Sequence, residues 1–195
     1  YVLARDMFVC ARRDGASEDR YLAALGEAEA SRQLGDFAAA WDAAVYAGSG
    51  PAELRVKAVK TLAKVAGNAK KVAEAVQIIR RVAQNVADAD AVSLLELAAE
   101  MADADLEDLT LSLSLYEDAL ELDPENDRVR NRLVSVLEKS GNRADLAAAL
   151  LRFAVPDPSG IADLQRAADF FSAEGMYAEA AEALARAHRI RPDAE

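Results

Sequence analysis

Residues 161–195 read IADLQRAADFFSAEGMYAEAAEALARAHRIRPDAE and carry the clearest structural signal in the chain. Apolar side chains recur at intervals of three and four residues on both sides of Gly175, which is the period of amphipathic helices. Glycine tolerates a positive φ at a tight turn, and Pro192 is unsuited to a helix interior because proline lacks an N–H. The stretch therefore predicts two antiparallel helices joined by a short turn.

The same arrangement recurs upstream with a constant period. Pro124, Pro158 and Pro192 are each 34 residues apart, and Gly141 lies 34 residues before Gly175. A helix pair of this length cannot bury its apolar face alone and does so by stacking on neighbouring pairs. The spacing predicts an all-α array of stacked helix–turn–helix repeats.

Composition excludes several functional classes. The 195 residues are 52% hydrophobic, which favours a buried core over disorder, and no apolar run approaches the ~20 residues of a membrane span. The net charge of −11 repels phosphate backbones, so we expect no nucleic-acid partner. One cysteine, Cys10, and one histidine, His188, cannot supply a disulfide framework or a His/Cys metal site, and we expect no cofactor and no metal.

The pattern of small and large apolar residues resembles the tetratricopeptide repeat family. The last repeat carries the best match, in Leu164, Ala167, Ala168, Phe171, Ala180, Leu184, Ala187 and Ile190, and the repeat before it carries Leu133, Val134, Leu137, Leu146 and Leu150. That earlier repeat departs from the family pattern at Arg130 and Phe153. The resemblance implies a right-handed superhelical solenoid of about five repeats.

Weaker copies extend the repeats towards the start of the chain. The segment 33–37 (QLGDF) resembles another turn, the repeat at 53–86 contains Gly67, and the turn at 103–108 is longer than in the family. The predicted repeats are 21–52, 53–86, 91–126, 127–160 and 161–195, and residues 1–20 form an N-terminal helix that is a cap or the end of a preceding repeat. Pentatricopeptide repeats have a similar period but bind RNA, which the net negative charge of this chain disfavours. HEAT and armadillo repeats are longer and lack the regular glycine and terminal proline.

In the tetratricopeptide family the first helices of the repeats line a concave groove, so the resemblance implies that a partner binds their polar stripes. A helical-wheel count places these predicted groove residues at Lys57, Lys60, Lys64, Arg128, Asn131, Arg132, Ser135, Gln165, Arg166 and Asp169. Charge is sorted by segment: 51–86 carries eight basic and two acidic residues, whereas 87–127 carries no basic and 14 acidic residues.

Two interpretations of this charge pattern remain open. In the first, Lys60 and Lys64 face Glu96 and Glu100 across one helix interface, and Glu100 or Asp103 faces Arg132 across the next. Such exposed pairs help the packing register and contribute ~0–1 kcal/mol each. In the second, the basic stripes bind an acidic or C-terminal peptide. The acidic turn at 103–108 lacks the central glycine of an EF-hand, so we interpret it as a solvated turn.

Single residues outside the stripes have structural interpretations. Cys10 is predicted to be a small buried side chain, Trp41 and Tyr177 to be packing residues with Trp41 alternatively an exposed anchor, and His188 to lie in the last turn of a helix. The apolar residues Tyr1, Val2, Leu3, Met7 and Phe8 favour the N-terminal end as the surface for any self-association.

These observations indicate a non-catalytic protein–protein interaction scaffold that holds a peptide or a helix of a partner in its groove. The alternative, motivated by a first residue that is not methionine, is a regulatory or substrate-positioning segment of a larger enzyme or transcriptional regulator. An enzyme is not expected, because no nucleophile and base converge in the pattern. Alanine and arginine usage suggests a bacterial source, and the compartment is unassigned, with the cytoplasm favoured.

Overall fold

Eleven α-helices make up most of residues 1–15 and 17–190, the part of the chain that the computed structural model describes. They are α1 (Val2–Asp14), α2 (Ser17–Leu34), α3 (Phe37–Gly48), α4 (Ala52–Ala66), α5 (Val72–Ala83), α6 (Asp88–Ala104), α7 (Leu109–Leu122), α8 (Asp127–Ser140), α9 (Arg143–Phe153), α10 (Ile161–Ala173) and α11 (Tyr177–Ile190). These two ranges contain no strand, and none of their helices is both long and apolar enough to span a membrane. The predicted all-α repeat fold is confirmed.

The chain divides into two compact units, Tyr1–Glu125 and Asn126–Glu195. In the first unit each helix from α1 to α7 packs on the next, and α4 also packs on both α2 and α6. In the second unit α8 to α11 pack in the same sequential way. We call α2, α4, α6, α8 and α10 the first helices and α3, α5, α7, α9 and α11 the second helices of the pairs. The contacts of α4 with α2 and α6 place first helices side by side, as stacked repeats require.

Every turn from a first helix to a second helix contains one residue in the left-handed backbone region. These residues are Gly35 (φ 78°), Lys70 (φ 56°), Glu107 (φ 54°), Gly141 (φ 71°) and Gly175 (φ 76°). The amide of the next residue reaches five residues back in three of the turns: from Asp36 to the Ser31 carbonyl, from Lys71 to Ala66 and from Met176 to Phe171, at 2.8–3.0 Å. This Schellman-type bond satisfies a terminal helix carbonyl while the chain reverses.

The turn after α4 does not reverse at its glycine. Gly67 has a right-handed φ of −61°, and the left-handed position falls three residues later at Lys70. The Ala69 amide still donates to the Val65 carbonyl, so helix-like bonding continues past Gly67 before the chain reverses. Gly67 therefore precedes the reversing position of its turn, whereas the predicted turn positions of Gly141 and Gly175 are confirmed.

Polar side chains begin several second helices immediately after the left-handed residue. The side chains of Asp36, Asp108 and Asn142 accept hydrogen bonds from the amides three residues ahead, at 3.1, 2.9 and 3.3 Å. Such N-caps satisfy amides that have no partner within the helix. In these three hairpins the left-handed residue and the N-cap together fix where the chain turns.

Alanine provides much of the close packing in both units. In the second unit Ala154 and Ala187 pack with Leu164, which is completely buried. The buried residues of α11 are Ala180, Ala183 and Ala187, whereas the predicted packing residue Leu184, one helical turn from Ala180, is 52% exposed. The prediction that Leu184 fills a gap between helices is wrong among the described residues.

Several single-residue predictions also have a clear outcome. Trp41 is buried and Lys71 lies over its ring at 4.9 Å, which confirms Trp41 as a packing residue. His188 lies in the last turn of α11, as predicted. Tyr177 is 73% exposed, so its predicted packing role is wrong.

Cys10 is exposed, which corrects the prediction that it is buried. The side of α1 that meets α2 carries Phe8, whose ring lies against Gly26, and Arg12, whose Nε is 3.1 Å from Glu27 Oε2. Cys10 falls on the other side of α1, so no neighbouring helix covers it in the described part of the chain. Burial raises the pKa of Glu27, and Arg12 opposes that rise.

The two departures from the repeat pattern in 127–160 compensate for each other. The Arg130 guanidinium lies over the Phe153 ring at 5.6 Å, and Arg152 lies over the same ring at 5.2 Å. Phe153 is bulky where the pattern has a small residue, and Arg130 is charged where the pattern has an apolar one. The two side chains form a cation–π contact, so each departure accommodates the other. Pro158 begins a 3₁₀ turn (Pro158–Gly160) before α10, and Pro192 lies outside the described residues.

We predict opposite effects of glycine substitutions in two turns. Gly141→Ala is expected to lower the free energy of unfolding by about 1 kcal/mol, because a Cβ is disfavoured at positive φ although the space is open. Gly67→Ala, in open space at negative φ, is expected to be neutral or stabilising. Lys70→Gly is expected to stabilise by up to about 1 kcal/mol. Urea denaturation measures all three, and an equal loss in both alanine variants would contradict the assignment of the turns.

The two leucines of the last repeat provide a matched test of the packing. Leu164→Ala is expected to lower the free energy of unfolding by about 2–5 kcal/mol, because Leu164 is completely buried. Leu184→Ala removes the same atoms from a side chain that is half exposed and is expected to cost under about 0.5 kcal/mol. Thermal or urea unfolding followed by circular dichroism distinguishes them, and similar losses would show that Leu184 packs on a neighbour.

Candidate interaction surfaces

The three predicted groove lysines of α4 form one exposed stripe. Lys57, Lys60 and Lys64 occupy positions i, i+3 and i+7, and all three side chains are exposed. The side of α4 that packs in the fold carries the buried residues Ala58, Val59, Thr61, Leu62, Val65 and Ala66. We call Lys57, Lys60 and Lys64 the lysine stripe. Within residues 1–15 and 17–190 none of the three forms an ion pair within 4 Å.

A carboxylate of α2 lies at one end of this stripe. The pKa of Glu29 is lowered to about 2, chiefly by a hydrogen bond that the Arg32 side chain donates to its carboxylate. The Gln33 side chain donates to the same carboxylate at 3.0 Å. The positive charge of Lys64 lowers the pKa of Glu29 further. Glu29 is a member of this surface that the sequence did not identify, although its i+3 spacing from Arg32 is a visible ion-pair signal.

The predicted pairing of Lys60 and Lys64 with Glu96 and Glu100 is not what the structure shows. No ion pair within 4 Å joins these two lysines to either glutamate. The carboxylate whose titration responds to Lys64 is Glu29, on the other neighbouring first helix. The first interpretation of the charge pattern is therefore wrong for Lys60 and Lys64.

In the second unit the predicted groove residues lie on two first helices and are all exposed. Those of α8 are Arg128, Asn131, Arg132 and Ser135, and those of α10 are Gln165, Arg166 and Asp169. The buried residues of α8 are Val129, Leu133, Val136 and Leu137, so its packed side is distinct from the exposed polar stripe. The polar residues of the predicted stripes are thus exposed, and their binding of a partner stays a prediction.

The charge of Arg166 is neutralised within the fold. Arg166 Nη2 lies 2.7 Å from Glu138 Oε1, and Arg166 Nη1 lies 3.8 Å from Asp163 Oδ1. The pair with Glu138 joins α10 to α8 and shows that these two first helices share a polar face. The sequence did not identify Glu138 as part of this face, because the contact spans 28 residues.

Among the described residues, two surface clefts are further candidate sites, and the sequence predicted neither. One, of about 300 Å³, lies in the first unit between α5, α6 and α7. The other, of about 350 Å³, lies in the second unit, where Asn131, Val134 and Phe153 line it together with Asp127 and Asp163. Asn131, a predicted groove residue, thus lines the second of these clefts. No group of three His, Cys, Asp or Glu side chains in the described residues is placed to hold a metal ion.

Comparison with solved structures identifies chains of the same architecture. The crystal structure of MamA, a tetratricopeptide repeat protein, is 13% identical over 88% of this chain and 92% of its own, with a TM-score of 0.50. BtubC (BKLC) from P. vanneervenii is 14% identical over 98% of this chain and 88% of its own, with a TM-score of 0.51. YrrB, described as a TPR protein with an unusual peptide-binding site, is 18% identical over 98% and 95%, with a TM-score of 0.49.

No family model matches the sequence, and no curated protein sequence matches it. At identities of 13 and 14%, the likeness to MamA and BtubC concerns the fold alone. It agrees with the 34-residue spacing and with the left-handed residue that reverses the chain in each helix pair. The chain therefore folds as a tetratricopeptide-repeat domain.

Proposed function

We propose that the chain is a non-catalytic protein–protein interaction scaffold whose exposed first-helix surfaces bind a peptide or a helix of a partner protein. The observation that carries the proposal is the lysine stripe, three exposed cations without an ion pair within 4 Å in the described residues. Like charges three and four residues apart on a helix repel each other. An acidic partner segment relieves that repulsion and gains three electrostatic contacts.

The titratable groups support a binding role over catalysis. Shifted pKa values occur at Glu27, Glu29, Arg32 and Asp157, and burial, the Glu29–Arg32 pair or a turn hydrogen bond accounts for each. An active site ordinarily gathers such groups in one cleft beside a nucleophile or a base. None of these four lines either of the two clefts.

The expected ligand is an extended or helical segment rich in Asp and Glu, or one that ends in a free carboxylate. Exposed pairs of this kind are screened by salt over about 8–10 Å, so binding weakens as the ionic strength rises. In the second unit the pair of Arg166 with Glu138 reduces the positive charge that α10 offers. The lysine stripe is accordingly the surface where charge reversal has the largest effect.

Panning a library of random 12-residue peptides against the 195-residue chain tests this proposal. The unaltered chain is expected to enrich acidic peptides at low salt. Lys57→Glu, Lys60→Glu and Lys64→Glu together are expected to weaken the selected peptides about tenfold to a hundredfold, since each exposed pair contributes ~0.5–1 kcal/mol. Fluorescence anisotropy of a labelled selected peptide measures the change.

The matched control reverses the same amount of charge elsewhere. Arg13, Lys70 and Arg81 are exposed and lie on α1, in the turn after α4 and on α5. Reversing these three to glutamate is expected to leave most of the affinity, since only the long-range part of the attraction changes. Equal weakening by both triple variants, or recovery of peptides without acidic enrichment, would overturn the proposed ligand.

A further inference from the structure

The cleft between α5, α6 and α7 is a surface that the lysine stripe does not include. Its polar residues include Asp88 at the start of α6 and Asp118 and Glu121 on α7, and its apolar wall includes Val86, Leu95 and Leu122. Leu95 is buried, whereas Leu122 is 42% exposed. A long aliphatic side chain entering here would cover Leu122 while its polar end remains beside the carboxylates.

The charge of the cleft is negative after its internal ion pair is counted. Arg80 Nη2 lies 2.8 Å from Asp118 Oδ2, so these two side chains neutralise each other. In the ranges 1–15 and 17–190, Asp88 and Glu121 have no ion-pair partner. Residues 87–127 contain no Lys or Arg, so α6 and α7 supply no cation to the cleft.

Glu121 is also poorly placed for the stability of its own helix. It lies in the last turn of α7, where the carbonyl ends carry partial negative charge, and that turn contains no basic residue. A carboxylate at this position is disfavoured by the helix dipole. Asp88 differs, because the first turn of α6 favours an acid. Glu121 therefore has a physical reason to attract a cation from outside the fold.

We propose that this cleft, lined by Leu122, Asp88 and Glu121, is a second docking site that binds an arginine or lysine side chain of a basic segment of a partner protein. The aliphatic part of that side chain packs on Leu122 and Val86, and its cationic end pairs with Asp88 and Glu121. This site selects the charge opposite to that selected by the lysine stripe. It stands independently of the proposed function, since it uses different helices and different residues.

NMR titration of the ¹⁵N-labelled 195-residue chain tests the proposal with a defined probe. The probe is a capped pentapeptide with a central arginine between leucine and alanine residues, and its neutral counterpart has citrulline in place of arginine. Saturable shifts are expected at the amides of Ala83, Leu95 and Leu122 with the arginine peptide. The citrulline peptide is expected to bind at least about fivefold more weakly, because it lacks the charge while keeping the shape.

Paired variants separate the cleft from the general acidity of residues 87–127. Asp88→Asn with Glu121→Gln is expected to weaken the arginine peptide about fivefold to tenfold. Asp90→Asn with Glu117→Gln removes the same charge at exposed positions of the same two helices that do not line the cleft, and is expected to retain the affinity.

Three results would overturn the site: equal affinity in both double variants, equal affinity for the citrulline peptide, or shifts distributed over the acidic segment without a maximum at the cleft. A fourth result would also overturn the proposal: if millimolar Mg²⁺ alone reproduces the same shifts and abolishes peptide binding, the cleft binds a metal ion.

Discussion

The left-handed residue in each helix-to-helix turn is the constraint on which the rest of the structure depends. One residue at positive φ reverses the chain within a few residues, so the second helix of a pair runs back along the first. Glycine adopts this conformation readily at three of the turns, whereas Lys70 and Glu107 occupy it at a cost of about 1–2 kcal/mol each. The packing of α4 on α5 and of α6 on α7 must exceed that cost, since both turns form. The buried hydrogen bond from Ser112 Oγ to the Ala99 carbonyl, at 2.9 Å, contributes to the second of these interfaces.

Once the hairpins are set, cross-helix ion pairs determine how much charge remains for a ligand. Arg12 with Glu27, Arg80 with Asp118 and Arg166 with Glu138 each join two different helices. Such pairs contribute little stability when they are exposed, but they remove charge from the surfaces on which they lie. The lysine stripe on α4 and the acids Asp88 and Glu121 form no such ion pairs in the described residues. The two surfaces therefore present opposite charge. Segregation of charge by segment, visible along the chain, thus becomes segregation by surface.

Departures from a repeat pattern are informative when two of them meet in space. Arg130 and Phe153 each violate the expected residue type, yet the guanidinium of one lies over the ring of the other. A cation–π contact of this kind contributes roughly 0.5–2 kcal/mol, depending on how far water is excluded. The second unit therefore keeps its packing with an aromatic residue where the pattern calls for a small one. Stacked repeats tolerate such exchanges because each pair contacts only its neighbours.

Local chemistry along the chain was enough to predict the helix pairs, the glycine turns at Gly141 and Gly175 and the polar sides of α4, α8 and α10. Helical periodicity and the backbone preferences of glycine act within a single hairpin, and both can be read from neighbouring residues. The exposure of Cys10, Tyr177 and Leu184, the left-handed turn at Lys70, the pair of Arg166 with Glu138 and the cleft beside Leu122 could not be read in that way. Each of these depends on which helix covers which face, or on how far a helix continues before the chain turns back into the next helix. Long-range packing settles such questions, because two residues far apart in sequence acquire a contact energy only when the folded backbone brings them together.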